Sequence, residues 1–185
     1  MGIQILGICG SLRKASFNRM ALNVVIEEGQ KQGHAIETAA IDEIPLYDAD
    51  LQASGFPEAV VRLGEQVADA DAVIFVSPEY NYSVPGVLKN AIDWISRLPN
   101  QPFAGKPVAI MGASMGGIGT ARMQYHLRQI LVFLDARPLN KPEIMIGAAH
   151  EKFDNEGRLN DDKTREMIGK LLDSLNDWTA QLQPR

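Results

Sequence analysis

Five consecutive apolar residues, Ala72 to Val76, constrain this chain more than any other feature. An apolar run without alternation describes a strand buried on both faces, as in a parallel sheet clad by helices. Val87, Leu88, Ala91, Ile92 and Ile95 then recur at helical spacing. That predicts a helix beginning near Pro85, a residue suited to a first helical turn. Between strand and helix lies Ser-Pro-Glu-Tyr-Asn-Tyr-Ser-Val, residues 77–84, too polar and too aromatic for a simple connector. Ligands of open α/β sheets bind outside the carboxyl ends of the strands. This loop is therefore expected to meet a flat, partly polar ligand.

The same strand-then-helix rhythm runs through the whole chain. Ile3 to Cys9 reads as a first buried strand, and Phe17 to Glu28 as an amphipathic helix stopped by Gly29 or Gly33. A shorter strand is expected over Ala35–Ile41, an irregular stretch over Asp42–Phe56, and a helix over Pro57–Ala68. After the Val87–Arg97 helix come a strand at Val108–Ala113, a helix from Thr120 to Leu134, a fifth strand at Glu143–Ile146 and a last helix from Asp161 to about Gln181. Alternation of this kind predicts a doubly wound α/β fold, a five-stranded parallel sheet of flavodoxin-like order 2-1-3-4-5 flanked by helices. The 185 residues suit one domain, 1–185. In that order the loops after strands 1, 3 and 4 converge.

Charge and composition narrow the partners. The net charge is -5 and the basic residues are scattered, which argues against nucleic acid. No apolar run approaches the ~20 residues of a membrane span, and with Met1-Gly2-Ile3 leading straight into a strand no signal peptide is expected. One cysteine, Cys9, precludes an internal disulfide and points to a reducing compartment, the cytoplasm. Cys9 itself reads as a small core residue. No two histidines have ligand spacing, so no metal is expected.

The first loop, Gly10-Ser11-Leu12-Arg13-Lys14-Ala15-Ser16-Phe17-Asn18-Arg19, opens a helix. Ser11, Ser16, Asn18 and backbone amides there can wrap a phosphate at the helix N-terminus, with Arg13 adding a fork of donors. Equally, Ser16 can serve only as a cap while Arg13 and Lys14 stay solvated. Neither the G-x-G-x-x-G nor the P-loop spacing is present, so a monophosphate fits better than a dinucleotide or triphosphate. In the third-strand loop, Pro78, Glu79, Tyr80 and Asn81 offer backbone groups to the edge of a ring, and Tyr82 either lines the substrate opening or packs structurally. The Glu79 carboxyl is expected to matter less than its backbone, because no partner for it is apparent. Gly112-Ala113-Ser114-Met115-Gly116-Gly117 follows strand 4, with glycines that permit close approach to a ring. It also matches the G-x-S-x-G nucleophile elbow of hydrolases, with Asp135 and His150 in the right chain order. Against that reading stand the missing oxyanion segment and the glycines of 116–119, which prevent an immediate helix.

Taken together, residues 10–18, Ile44-Pro45-Leu46-Tyr47-Asp48-Ala49-Asp50, Pro78 to Trp94, and Gln124 to Leu131 resemble the NADPH-dependent FMN reductase family, and among its members the bacterial quinone and chromate reductases. The resemblance implies tightly bound FMN, with Ser11, Arg13, Ser16, Phe17 and Asn18 around the phosphate. It implies Pro78, Glu79, Tyr80 and Asn81 at the flavin, and Ser114, Gly116 and Gly117 at its pyrimidine side. It further implies NAD(P)H as co-substrate, a homodimer or homotetramer, and a ping-pong transfer of hydride through flavin N5 to quinones, chromate, azo compounds or free flavin. No acid–base side chain is then indispensable, since the cofactor carries the chemistry. Arg19 departs from the small residue usual in relatives. The alternative is a flavodoxin-type electron carrier using the same cofactor.

Overall fold

The computed structural model describes residues 2–182. All strands run parallel: β1 (Gln4–Cys9), β2 (Ala35–Ala39), β3 (Ala72–Val76), β4 (Pro107–Ala113), β5 (Arg137–Pro138) and β6 (Ile144–Ile146). Their order is β2-β1-β3-β4-β5, with β6 also on β4. Every residue of β3 is buried, as its unbroken apolar run requires. The register pairs Cys9 with Val76 and Val76 with Met111, so β1, β3 and β4 end close to one line. Backbone bonds from Gly10 to Val76 (3.0 Å) and from Ser77 to Met111 (3.1 Å) carry that alignment into the loops.

Alternate strand residues supply two cores. Leu6, Ile8, Val73, Phe75, Val108 and Ile110 pack against α3 (Glu58–Asp69), α4 (Gly86–Ile95) and α5 (Ala121–Phe133). Ile5, Cys9, Ile74, Val76, Ala109 and Met111 pack against α1 (Phe17–Lys31) and the long α7 (Asp162–Leu182). Helix α1 begins where Ser16 accepts the Asn18 amide. It ends in a Schellman turn: Gly33 stands at φ +82°, and His34 N–H bonds Gly29 O at 2.8 Å. Gly29 therefore lies inside the helix and Gly33 is the stop.

Two expectations need correction. The fifth strand is interrupted: β5 pairs with the start of β4 and β6 with its end. Pro138 and Pro142 account for the break, because proline gives no ladder donor. The stretch 42–56, expected to be irregular, contains a short helix, α2 (Ala49–Ser54), capped by the Asp48 side chain on the Asp50 amide at 2.8 Å. A second short helix, α6 (Ala149–Lys152), follows β6. Neither amounts to more than two turns, too short for periodicity to reveal. Asn90 ties down the β2–α2 connection. It donates to Pro45 O and accepts from Tyr47 N, both at 2.8 Å, while Trp94 Nε1 also donates to Pro45 O.

Candidate functional site

The loops after β1, β3 and β4 do converge, and hydrogen bonds stitch them together. In the first, Ser11 and Ser16 are buried; Ser11 Oγ accepts from the Arg13 amide at 3.4 Å and Ser16 Oγ from the Asn18 amide at 3.2 Å. Ser16 thus caps α1. Asn18 is buried, and its side chain reaches across to β4: Nδ2 donates to Ala113 O (2.9 Å) and Oδ1 accepts from Ala113 N (2.8 Å). Its amide is engaged with the sheet rather than turned outward. Phe17 packs against Phe153, with ring centroids 6.0 Å apart, and carries the Arg13 guanidinium 5.5 Å from its own centroid. Among the described residues, the backbone amides of Leu12, Lys14, Ala15 and Phe17 have no hydrogen-bond acceptor. They cluster at the start of α1, where the helix dipole favours an anion.

In the second loop, Tyr80 and Ser83 bond each other through both backbone groups, at 3.1 and 3.0 Å. The two residues between them, Asn81 and Tyr82, stand at φ +50° and +67°. Positive φ at both central positions is the mirror-image type I′ turn, easy for asparagine and strained for tyrosine. Tyr82 is 64% exposed, its ring stacked on the Arg122 guanidinium at 3.9 Å.

Glu79 contradicts the expectation that its carboxyl lacks a partner. One oxygen accepts from the Arg122 and Met123 amides (3.0 and 3.1 Å), the other from Arg122 Nη1 (3.0 Å). Burial alone raises its pKa, but these bonds outweigh burial and hold the carboxyl below the usual range. Sequence gave little sign of this, because the partners lie 43 and 44 residues away. The one available hint was the glycine-rich approach to α5, which leaves that helix without a strong cap of its own; Thr120 makes no capping bond.

The third loop leaves β4 at Ala113. Ser114 Oγ accepts from the Gly116 amide at 3.2 Å, and Ser114 O accepts from Ala149 N at 3.0 Å. At Gly117 nothing lies within 4 Å of where a Cβ would stand, and at Gly116 only Ser114 Oγ comes near. The glycines border open space, rimmed by exposed Met115 and Ile118. A hydrolase triad is ruled out by the sheet: Asp135 accepts from the Gly105 amide, ahead of β4, whereas Ser114 follows its far end. The seven residues of β4 between them span roughly 23 Å.

Other candidates fall elsewhere. Cys9 is buried, its Sγ directed at Ser11 O (3.6 Å), and burial pushes the thiol pKa up, which makes it an inert core residue. Arg19 lines a cleft of about 440 Å³ that runs from Ser11 and Leu12 of the first loop to Thr38 and Asp42 on the β2 side. On α5, Tyr125 Oη donates to Glu143 (3.1 Å) and His126 Nδ1 meets Ser83 Oγ (3.0 Å). The described helices include none long and apolar enough to cross a membrane.

Comparison with known proteins follows the same lines. Residues 3–151 match the NADPH-dependent FMN reductase family. The chain is 58% identical over 181 residues to an NAD(P)H-dependent FMN reductase of Pseudomonas aeruginosa, covering 98% of this chain and 97% of the relative. It is 49% identical over 183 residues to a quinone reductase of Escherichia coli K12, covering 98% and 97%. Among solved structures, the flavoenzyme NAD(P)H:(acceptor) oxidoreductase FerB of Paracoccus denitrificans superposes with a TM-score of 0.87 at 34% identity, covering 97% of this chain and 98% of FerB.

Proposed function

The chain belongs to the NADPH-dependent FMN reductase family, and from that premise we propose that the three converging loops hold one FMN and leave a face open to NAD(P)H and then to a quinone. The protein is an NAD(P)H-dependent flavin and quinone reductase of the flavodoxin-like class. The observation that carries the site assignment is the run of amides at Leu12, Lys14, Ala15 and Phe17 without an acceptor among the described residues, together with the open space beside Gly116 and Gly117. A phosphate suits the first and a flat ring the second.

FMN, when bound, would supply the two-electron hydride chemistry at its N5, with NAD(P)H and the acceptor using the open face in turn in a ping-pong sequence. The chain's own work is binding and placement. The loop amides, the hydroxyls of Ser11 and Ser16 and the guanidinium fork of Arg13 would neutralise the phosphate, each charge-assisted bond contributing about 1.5–3 kcal/mol. Backbone groups of Pro78, Glu79, Tyr80 and Asn81 address one ring edge, and Ser114, Gly116 and Gly117 the pyrimidine side. Asn18 fixes the distance between the phosphate loop and β4. Tyr82 borders the acceptor entrance. Glu79 is held ionised by its three donors, so it has no proton to give at neutral pH, and no other side chain of these loops is placed as an acid or base. Reacting atoms need an approach of ~3–3.5 Å, which rigid loops and an open face allow.

Quinones are the acceptors that the relatives' activities favour; chromate, azo compounds and free flavin suit the same exposed ring. We read residues 1–185 as one FMN-binding unit, assembled as a homodimer or homotetramer, in a reducing compartment such as the cytoplasm that suits the free Cys9. Exposed Tyr125, Val132 and Phe133 on α5 offer apolar surface for such assembly.

Purified protein mixed with NADPH or NADH and a simple quinone tests the reading. It predicts a yellow protein that consumes nucleotide and quinone in equal amounts with many turnovers. A colourless protein that refuses added FMN would overturn the site. A yellow protein bleached slowly, with no quinone turnover, would favour the electron carrier.

A further inference from the structure

Glu79 does for α5 what a residue next to the helix would ordinarily do. Thr120, at the N-cap position, makes no capping bond; its Oγ1 accepts from Gln124 Nε2 instead (3.0 Å). Glu79 supplies the cap from the β3 loop, and its side chain is only 10% exposed. The same carboxylate anchors the Arg122 guanidinium, whose face lies 3.9 Å from the centre of the Tyr82 ring. Tyr82 stands at φ +67°, a conformation that persists in a non-glycine residue only where its surroundings enforce it. A second tie joins the same turn to α5, Ser83 Oγ to His126 Nδ1 at 3.0 Å. The Asn81–Tyr82 turn is thus pinned to the first turns of α5, while the outer side of the tyrosine ring remains open to solvent.

We propose that Glu79 is a positioning residue for the electron acceptor: by capping α5 and anchoring Arg122, it holds the Tyr82 ring at the rim of the site and so sets how well a planar quinone is received. The proposal rests on the reductase reading and deepens it. Glu79 touches neither donor nor acceptor in this scheme; it acts through Arg122 and the turn. Loss of the carboxylate frees the guanidinium and two amides of α5, and the strained turn relaxes away from positive φ. Loss of Arg122 alone removes the stacking partner and leaves the cap.

Two measurements test it on the purified FMN-loaded protein. In Glu79→Ala, chymotrypsin should nick the chain after Tyr82 at least ten times faster than in wild type. In the same variant, KM for a small planar quinone should rise at least five-fold more than kcat per bound flavin falls. Glu79→Gln, which keeps an acceptor for the α5 amides, should recover at least half of both effects on a logarithmic scale. Arg122→Ala should reproduce the KM effect, and Arg122→Lys, which lacks a planar face, should not restore it. The variant at Arg122 also decides the matter if Glu79→Ala does not fold. Unchanged nicking, or faster nicking with kcat and KM changing together, overturns the proposal. A wild-type protein that takes up no FMN would instead defeat the reductase reading, and the nicking rates of the variants would still judge whether Glu79 holds the turn.

Discussion

Asn18 and Ala113 form a closed two-point clasp, side-chain amide against backbone N–H and C=O at 2.8 and 2.9 Å, joining the first turn of α1 to the end of β4. Both bonds are buried, so Asn18→Ala leaves two backbone groups of Ala113 unpaired. The expected loss is about 2–4 kcal/mol of stability, read from urea denaturation of the FMN-free protein. FMN affinity should fall as well, because the two loops lose their fixed separation. Asn18→Asp removes the donor and should be no better than alanine. Stability within 0.5 kcal/mol of wild type, on the order of an ordinary surface change, would mean that the clasp does not hold the loops.

Arg13 stands over the Phe17 ring with its guanidinium unpaired by any carboxylate among the described residues. Arg13→Ala should weaken FMN binding by roughly 10–100-fold, the worth of one charge-assisted contact to phosphate. Hydride transfer in flavin-saturated enzyme should slow far less. Fluorescence titration with FMN and stopped-flow reduction by NADPH separate the two effects. An unchanged FMN affinity would place Arg13 away from the phosphate.

Gly112 lies where β4 passes under the β3 loop, and a Cβ there would overlap the carbonyl oxygen of Ser77 and the Thr120 side chain. The obstacle includes backbone, which cannot rotate aside. Gly112→Ala should therefore cost about 1–3 kcal/mol or more and disturb the ring side of the site, lowering Tm in calorimetry and loosening FMN together. Gly117→Ala meets open space and should leave Tm nearly unchanged while crowding the ring.

His34 is buried and accepts the Ile3 amide at Nδ1 (3.2 Å), which requires that nitrogen to be unprotonated. Burial lowers its pKa, against an opposing pull from Asp173. The unfolded chain, with histidine near its ordinary value of ~6.5, then binds the proton more readily than the fold. Stability from this site is complete above that value and drains away as pH falls through the lower folded value. Unfolding free energies from urea denaturation at about pH 7.5 and about pH 5 should fall further in wild type than in His34→Asn, whose Oδ1 takes the place of Nδ1 and can accept from Ile3 at any pH. Parallel curves would clear His34 of any part in acid sensitivity.

The elements most readily recognised from the residue pattern were those with long, unambiguous periodicity. Ala72–Val76 is β3 to the residue, and α1, α3, α4, α5 and α7 fall within a few residues of where amphipathic spacing places them. The brief elements escaped: α2 and α6 are too short to show a period, and the prolines at 138 and 142 split the fifth strand into β5 and β6. The candidate loops were marked by composition, since serines before a helix, tyrosines between a buried strand and a proline, and glycines after a strand each have a local reason. Their partners had none. Asn18 bonds Ala113 across 95 residues and Glu79 caps α5 across 43, and no spacing rule joins residues so distant.

Sequence by itself determined the alternation of buried strands and amphipathic helices, and with it the parallel sheet whose strand ends gather three unusual loops. That follows from local physics: burial on both faces demands continuous apolar strands, and each helix must turn one apolar face inward. Only the tertiary structure decided what the polar side chains in those loops are for. It turned Asn18 inward as a brace, Glu79 aside as the cap of another helix, and Tyr82 outward on Arg122. A polar side chain binds whichever unpaired donor or acceptor the fold brings within about 3 Å, and that neighbour exists only once the chain has closed.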